Sequence, residues 1–405
     1  MKKLISLLLV ALTVLAPLGS LAETQYYNIA DLRAQTPERW TQSYQTKWRT
    51  VDIDAEVRLP ETDAVPILKV TYDVPETLPT AEESGWAEVE ARYDALILYN
   101  GWKQAPRSVD GKRINQNAEA KETWRSGFSP EARYVPMSDI TYGEICDMLR
   151  DQLTRFGYDP AQFELDTPTE MWAQHWFYYG YKEDVLPGQL FLKARQTFYD
   201  LPILSHIWSA VHEQNKGDSR VGEMIVSFDL NAGFDAYGDQ LSHLYVGAAK
   251  IIETPSDDIP LCAFDKVMEA IEPEINAGHI RKIYEVELGY VVYNEPGVYY
   301  SDTEPLVEGR MPQAELEEAT AQRDAKRTSA CYYLRPMWQI NCLWVETPTG
   351  KLRETASYTT DERNSLDYYQ LLVDAQSGEL MRESEAQDRC EFKGFLSWDD
   401  VNGVQ

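Results

Sequence analysis

The chain of 405 residues predicts an α+β fold: a strand-rich N-terminal region followed by two tandem units, each a helix packed on an antiparallel sheet. Three observations carry that expectation. Val51, Ile53, Ala55, Val57 and Leu59 alternate with polar residues, the period of a half-buried strand. Ile145, Met148, Leu149, Leu153 and Phe156 fall instead on one helical face. The order of one helix and then at least three strands is met twice along the chain.

The first segment, "MKKLISLLLVALTVLAPLGSLA", sets Lys2 and Lys3 before an apolar run that ends in small residues. It reads as a signal peptide over residues 1–22, since the run is shorter than the roughly 20 residues of a spanning helix and is broken by Pro17. The expected product is secreted, with no membrane span after cleavage. Loss of the two lysines takes the formal charge from −28 to −30, a sign that argues against nucleic acid as a partner. The five cysteines are scattered without a CxxC pair, so one bridge from Cys331 or Cys342 to Cys390 and free buried thiols both stay open.

Residues 23–135 are expected to hold a hairpin formed by "VDIDAEVRLP" and "VPILKVTYDVP", a helix-like stretch "EESGWAEVEARYDALI", and a long polar loop over 103–133. The first unit, 136–259, opens with the clearest helix. Thr141 and Glu144 form a capping-box pair ahead of it and Gly157 stands where it stops. Strand-like "AQHWFYYGY", "QLFLKARQTFYDLPIL" and "GEMIVSFDLNAGFDA" follow. The second unit, 260–405, repeats the order. A helix with Phe264, Val267, Met268 and Ile271 on one face is ended or kinked at Pro273, and "IRKIYEVELGYVVY", "CYYLRPMWQINCLWV" and "YYQLLVDAQSGELM" read as strands.

The last strands of the two units share a pattern, Asp229 to Gly233 and Asp374 to Gly378. An Asp at a strand end accepts bonds from the next backbone amides, and a Gly takes the left-handed conformation that closes the turn. These four residues are therefore assigned to architecture and not to catalysis.

Tyr333, Pro336 and Trp338, with Asp374, Ser377, Gly378 and Glu379, resemble the PepSY family, and the likeness runs over about residues 260–385 and, more weakly, 136–250. The first unit departs from the family, with Tyr199-Asp200-Leu201-Pro202 where a Gly before the Pro is usual. The whole chain looks like exported bacterial proteins built from such units. The resemblance implies a cystatin-like unit, and a protein-binding or regulatory role, peptidase modulation included, without catalytic machinery.

The residues support no catalytic assignment. GxSxG, SxxK and HExxH do not occur, and no metal or cofactor is expected. The run Asp229, Asn231, Asp235 lacks the Gly and the final Glu of a calcium loop. Glu285 and Glu287 share a strand face opposite Tyr284, Val286, Leu288 and Tyr290, which makes them an ordinary solvated side. The aromatic row with Trp172, Trp176 and Tyr179 suits core packing or, where exposed, stacking on a glycan. Pro336 removes a ladder donor, so its strand is expected at an edge or a bulge, open to strand addition by a peptide. Candidate binding residues are thus Trp172, Trp176, Tyr179, Pro336 and Trp338. The expected partner is an extracytoplasmic protein or peptide. The alternatives are a glycan-binding protein and a carboxylate-dependent hydrolase.

Overall fold

The computed structural model describes residues 25–92, 95–100, 142–165, 170–176, 186–204, 221–229, 240–295, 330–344, 368–381 and 392–403. Among these the fold is mostly β, which overturns the expectation of repeated helix-on-sheet units. Two large sheets carry it, each with its own apolar cluster.

The smaller sheet has six antiparallel strands in the order β5 (Glu88–Ala91), β6 (Leu96–Tyr99), β12 (Gln240–Gly247), β11 (Glu223–Asp229), β8 (Leu186–Arg195) and β7 (Glu170–Trp176). Helix α3 (Tyr142–Arg155) buries Ile145, Leu149 and Leu153 in one cluster with Leu192, Met224, Val226 and Leu244. Its apolar spacing is what the sequence showed. Its start falls at the edge of the described residues, so the Thr141 cap lies outside them.

The larger sheet runs β13 (Ala249–Ser256), β4 (Ile67–Tyr72), β16 (Tyr332–Trp344), β15 (Ile280–Asn294), β3 (Thr50–Arg58), β2 (Arg39–Gln45). From it β17 (Tyr368–Asp374) pairs with β16, and β18 (Leu380–Met381) pairs with β17. The contact of β15 with β3 is parallel. Helix α4 (Phe264–Ala277) buries Phe264, Val267, Ile271 and Ile275 in the cluster that holds Trp338 and Ile340. Small pairs complete the strands: β1 (Tyr26–Tyr27) with β14 (Leu261–Cys262), and β9 (Thr197–Phe198) with β10 (Leu201–Pro202). Helix α1 (Ile29–Gln35) is capped by Asn28, α2 (Ala81–Ser84) by a Thr80/Glu83 capping box, and α5 (Trp398–Asn402) by Ser397.

Several local expectations change in this frame. The segments read as an N-terminal hairpin, β3 and β4, do not pair with each other; β3 lies between β2 and β15, and β4 between β13 and β16. A period of two tells which face of a strand is buried, not which strand lies beside it. The helix-like stretch at 82–97 is one short helical turn, and Glu88–Ala91 is a strand. Helix α4 passes through Pro273 and ends only at Ala277. The strands proposed to match as repeats also differ in place: β11 is internal to the six-stranded sheet, whereas β17 branches from β16. The expected polar loop over 103–133 lies outside the described residues.

Candidate functional site

The joint between the two sheets is polar at its centre. Strand β8 ends on Arg195, which is buried. Its Nη1 donates to Glu287 Oε2 at 2.8 Å and its Nη2 to Glu287 Oε1 at 3.2 Å and Glu164 Oε2 at 2.6 Å, with Nε on the same Glu164 oxygen at 3.0 Å. Arg58, at the end of β3, donates to Glu164 at 3.1 Å and lies 2.9 Å from Glu287 and 3.5 Å from Glu285. Two guanidinium groups thus serve three carboxylates, from both sheets and the loop between α3 and β7. The expectation that Glu285 and Glu287 form a solvated side is therefore corrected: Val286, Leu288 and Tyr290 are buried as read, Tyr284 sits half-buried at a bulge with the Lys282 ammonium over its ring, and Arg195 of the other sheet lies on the acidic face, where Glu287 is buried.

Burial, with Glu285 beside it, pushes the Glu287 carboxyl upward against the pull of Arg195 and Arg58. For Glu164 burial acts the same way but is outweighed by Arg195 and Arg58, which hold it below the usual carboxylate range. The register sets Asn341 opposite Glu285 and Gln339 opposite Glu287. Asn341 Nδ2 donates to Glu285 at 3.1 Å and Gln339 Nε2 to Asn341 Oδ1 at 3.1 Å, leaving Gln339 Oε1 buried without a partner among the described residues.

One residue beyond Arg195, the Gln196 side chain ties the sheets again. Its Oε1 accepts from Ala249 N at 2.7 Å, and its Nε2 donates to Ala249 O at 2.9 Å and Gln162 Oε1 at 3.0 Å. The chain then makes the β9–β10 hairpin, whose two-residue tip is Tyr199 and Asp200 at φ 54 and 61. A two-residue turn with both centres at positive φ is the tightest hairpin closure, and it ordinarily recruits Asn-Gly. Here both residues carry Cβ atoms, at a cost of about 1 kcal/mol or more each. The surroundings hold them there. Phe198, Leu201, Ile203 and Leu204 are buried, Leu204 N donates to Tyr290 O at 2.7 Å, and Asp200 Oδ2 accepts from Glu61 N at 2.7 Å. A Cβ on Gly289 would come within 2.6 Å of Pro202 O, so only glycine permits this approach. Tyr199 is 48% exposed at the tip of this clamped hairpin.

The sequence-assigned residues lie elsewhere. Pro336 and Trp338 are buried, Trp338 completely. Strand β16 is central and not an edge: Pro336 pairs with Tyr290 on one side, while on the other it falls in the gap between β4, which ends its pairing at Leu334, and β17, which starts at Met337. The missing donor is tolerated because neither neighbour reaches it. Trp172 and Trp176 lie on β7, the last strand of the six-stranded sheet; their side chains, and Tyr179, lie outside what is described. Asp229 ends β11, and Gly233 lies outside the described residues. Asp374 Oδ1 accepts from Gln376 N at 2.9 Å and Ser377 N at 2.8 Å, Gly378 N donates to Asp374 O at 2.9 Å, and Gly378 takes φ +72. Arg335 Nη2 pairs with Asp374 Oδ2 at 2.7 Å.

Among the described residues no group of three or more His, Cys, Asp or Glu is placed to hold a metal ion. Burial pushes the Cys262 thiol up to about 12 and raises Cys342 as well, so neither is a thiolate at neutral pH. The Tyr199 tip was missed from sequence because "YDLP" contains no turn-forming Gly or Asn. The joint was missed because its five charges come from four segments far apart in the chain. No described helix is long and apolar enough to cross a membrane.

No protein-family model matches the chain. No curated protein matches it. Among solved structures it is similar to an uncharacterized protein from Eubacterium rectale ATCC 33656, at 12% identity over 87% of this chain and 98% of that one, with a TM-score of 0.44.

Proposed function

We propose that the chain is an exported, non-catalytic binding protein that engages an extracytoplasmic protein or peptide through the Tyr199 tip. The observation that carries this reading is the strain: two adjacent residues with side chains are held at positive φ, and one presents an aromatic ring to solvent. Strained residues persist where the surrounding structure over-determines them, and they cluster at functional sites. A tyrosine on a stiff support is an efficient binding anchor, because it brings large contact area with little rotamer freedom to lose. The five charges of the joint are engaged with one another, an arrangement suited to fastening the sheets behind the tip. Peptidase modulation is the narrower form of this reading.

The test compares tagged wild-type chain with Tyr199→Gly in pull-downs from envelope and culture-supernatant extract of the source organism. A stoichiometric protein held by the first and lost by the second, with the variant at least as heat-stable, is the expected result. An identical set of captured proteins sinks the proposal, and enrichment of polysaccharide instead turns attention to Trp172 and Trp176. N-terminal sequencing of the exported protein tests the leader, with a mature start at Glu23 expected.

A further inference from the structure

Strand β13 ends the eight-stranded sheet, with β4 as its partner among the described residues. Two other end strands differ from it. Strand β2 exposes Arg39, Thr41, Gln42, Ser43 and Gln45, and β5 exposes Glu88 and Glu90, the polar side chains that keep an edge from pairing. Strand β13 exposes Lys250, Ile251, Ile252 and Glu253 in succession, with the two isoleucines 38% and 48% accessible. Among the described residues these are the two exposed large aliphatic side chains of an end strand, and they are flanked by one positive and one negative charge.

The register supplies the occupant. Against β4 it runs Lys250 to Thr71, Ile251 to Val70, then Glu253 to Lys69, so Ile252 is the extra residue of a bulge. In a regular strand residues three apart face opposite sides; the extra residue restores the alternation, so Lys250 and Glu253 share a face. The Ala248 carbonyl accepts from Asp73 N at 2.7 Å, so by alternation Ile251 turns its backbone groups away from β4. The motif Lys-Ile-Ile-Glu is thus complementary to itself in antiparallel orientation.

We propose that β13 pairs with β13 of a second copy of this chain, antiparallel about a two-fold axis at Ile251 and Ile252. Each Lys250 then lies opposite the other copy's Glu253, and the isoleucines meet at the centre. Within one copy Lys250 meets Asp73 at 3.6 Å, both side chains about half exposed, a solvated contact loose enough to yield to the second carboxylate. Pro255, without an N–H, stops the pairing on one side of the isoleucines, and on the other Gln196 already holds both backbone groups of Ala249, so the paired stretch is short. The bulge and the proline therefore confine the contact to a closed two-fold pair in place of an open fibre.

The experiment is sedimentation equilibrium on the full exported chain over a wide concentration range, with Lys250→Glu, Glu253→Lys and the double reversal. Each single reversal sets like charges opposite at both symmetry-related positions and is expected to weaken the dimer about tenfold. The double reversal restores opposite charges and the wild-type association. Both substituted side chains are exposed, and unchanged thermal melts show that each variant folds. A chain that stays monomeric at every concentration overturns the proposal, as does association unchanged by the single reversals or not restored by the double one.

Discussion

Two tight turns of this molecule are each organised around an aspartate, and they reach their geometry in opposite ways. At Asp374 the carboxylate gathers the amides of Gln376 and Ser377, and Gly378 supplies the positive φ. At the β9–β10 tip Asp200 reaches outward to the Glu61 amide, and Tyr199 and Asp200 themselves take positive φ. The first turn is relaxed and its tasks are internal: Gln376 bonds Pro260 O and both backbone groups of Leu396, holding the C-terminal segment. The second is strained and displays a ring. Where a turn only has to close the chain, glycine does it without strain; where the side chain itself is wanted outside, the strain is kept and the base is made rigid.

The sharpest way to break that contrast is to remove the rigid base. Arg195→Met leaves Glu287 and Glu164 buried beside Arg58 alone, and loss of one partner of a buried charge cluster costs about 3–5 kcal/mol. Denaturant unfolding should show that loss, with a smaller one for Arg335→Met, which uncouples Asp374 at the relaxed turn and frees the Gly394 carbonyl. Next in size is Gly378→Ala. It forces a Cβ into the left-handed region and to within 3.0 Å of Lys266 Cβ, for about 1–2 kcal/mol of destabilisation.

The third change has the opposite sign. Tyr199→Gly relieves the left-handed strain and should raise stability by about 0.5–1 kcal/mol after the added freedom of the unfolded chain is allowed for. A calorimetric melt decides it, and a lowered melting temperature would show that the tip is not strained as its φ values imply.

The smallest expected effect is on pH dependence. Glu164, held below its ordinary value of 4.5, contributes stability that is present above that value and lost as the pH falls through its lowered one. Glu287, raised by burial, acts with the reverse sign: the cost of ionising it appears as the pH rises from 4.5 towards its raised value. The two partly cancel in the wild type. Glu164→Gln should flatten the acid-side loss of stability, and Glu287→Gln should steepen it, in melts taken from pH 3 to 7.

The sequence by itself determined what is local. Alternation at Val51–Val57 marked a strand with one buried face, and the spacing of Ile145, Leu149 and Leu153 marked α3. The Asp374 pattern could be read because an aspartate, the amides two and three residues on and a glycine lie within five residues. Only the tertiary structure decided which strands are neighbours, and so the fold itself. Strands β3 and β15 meet from more than 200 residues apart, and no local period encodes such a pairing. The same holds for the joint. Arg58, Glu164, Arg195, Glu285 and Glu287 each look like surface charges along the chain, and they become one cluster, with Arg195 and Glu287 buried at its centre, only when two sheets close over them. Pro336 shows the limit from the other side: its missing N–H predicts a gap in a ladder, but whether that gap lies at an edge or between two partners of a central strand depends on where β4 and β17 end. Backbone chemistry is local and can be read along the chain; desolvation and pairing are properties of contact between distant segments.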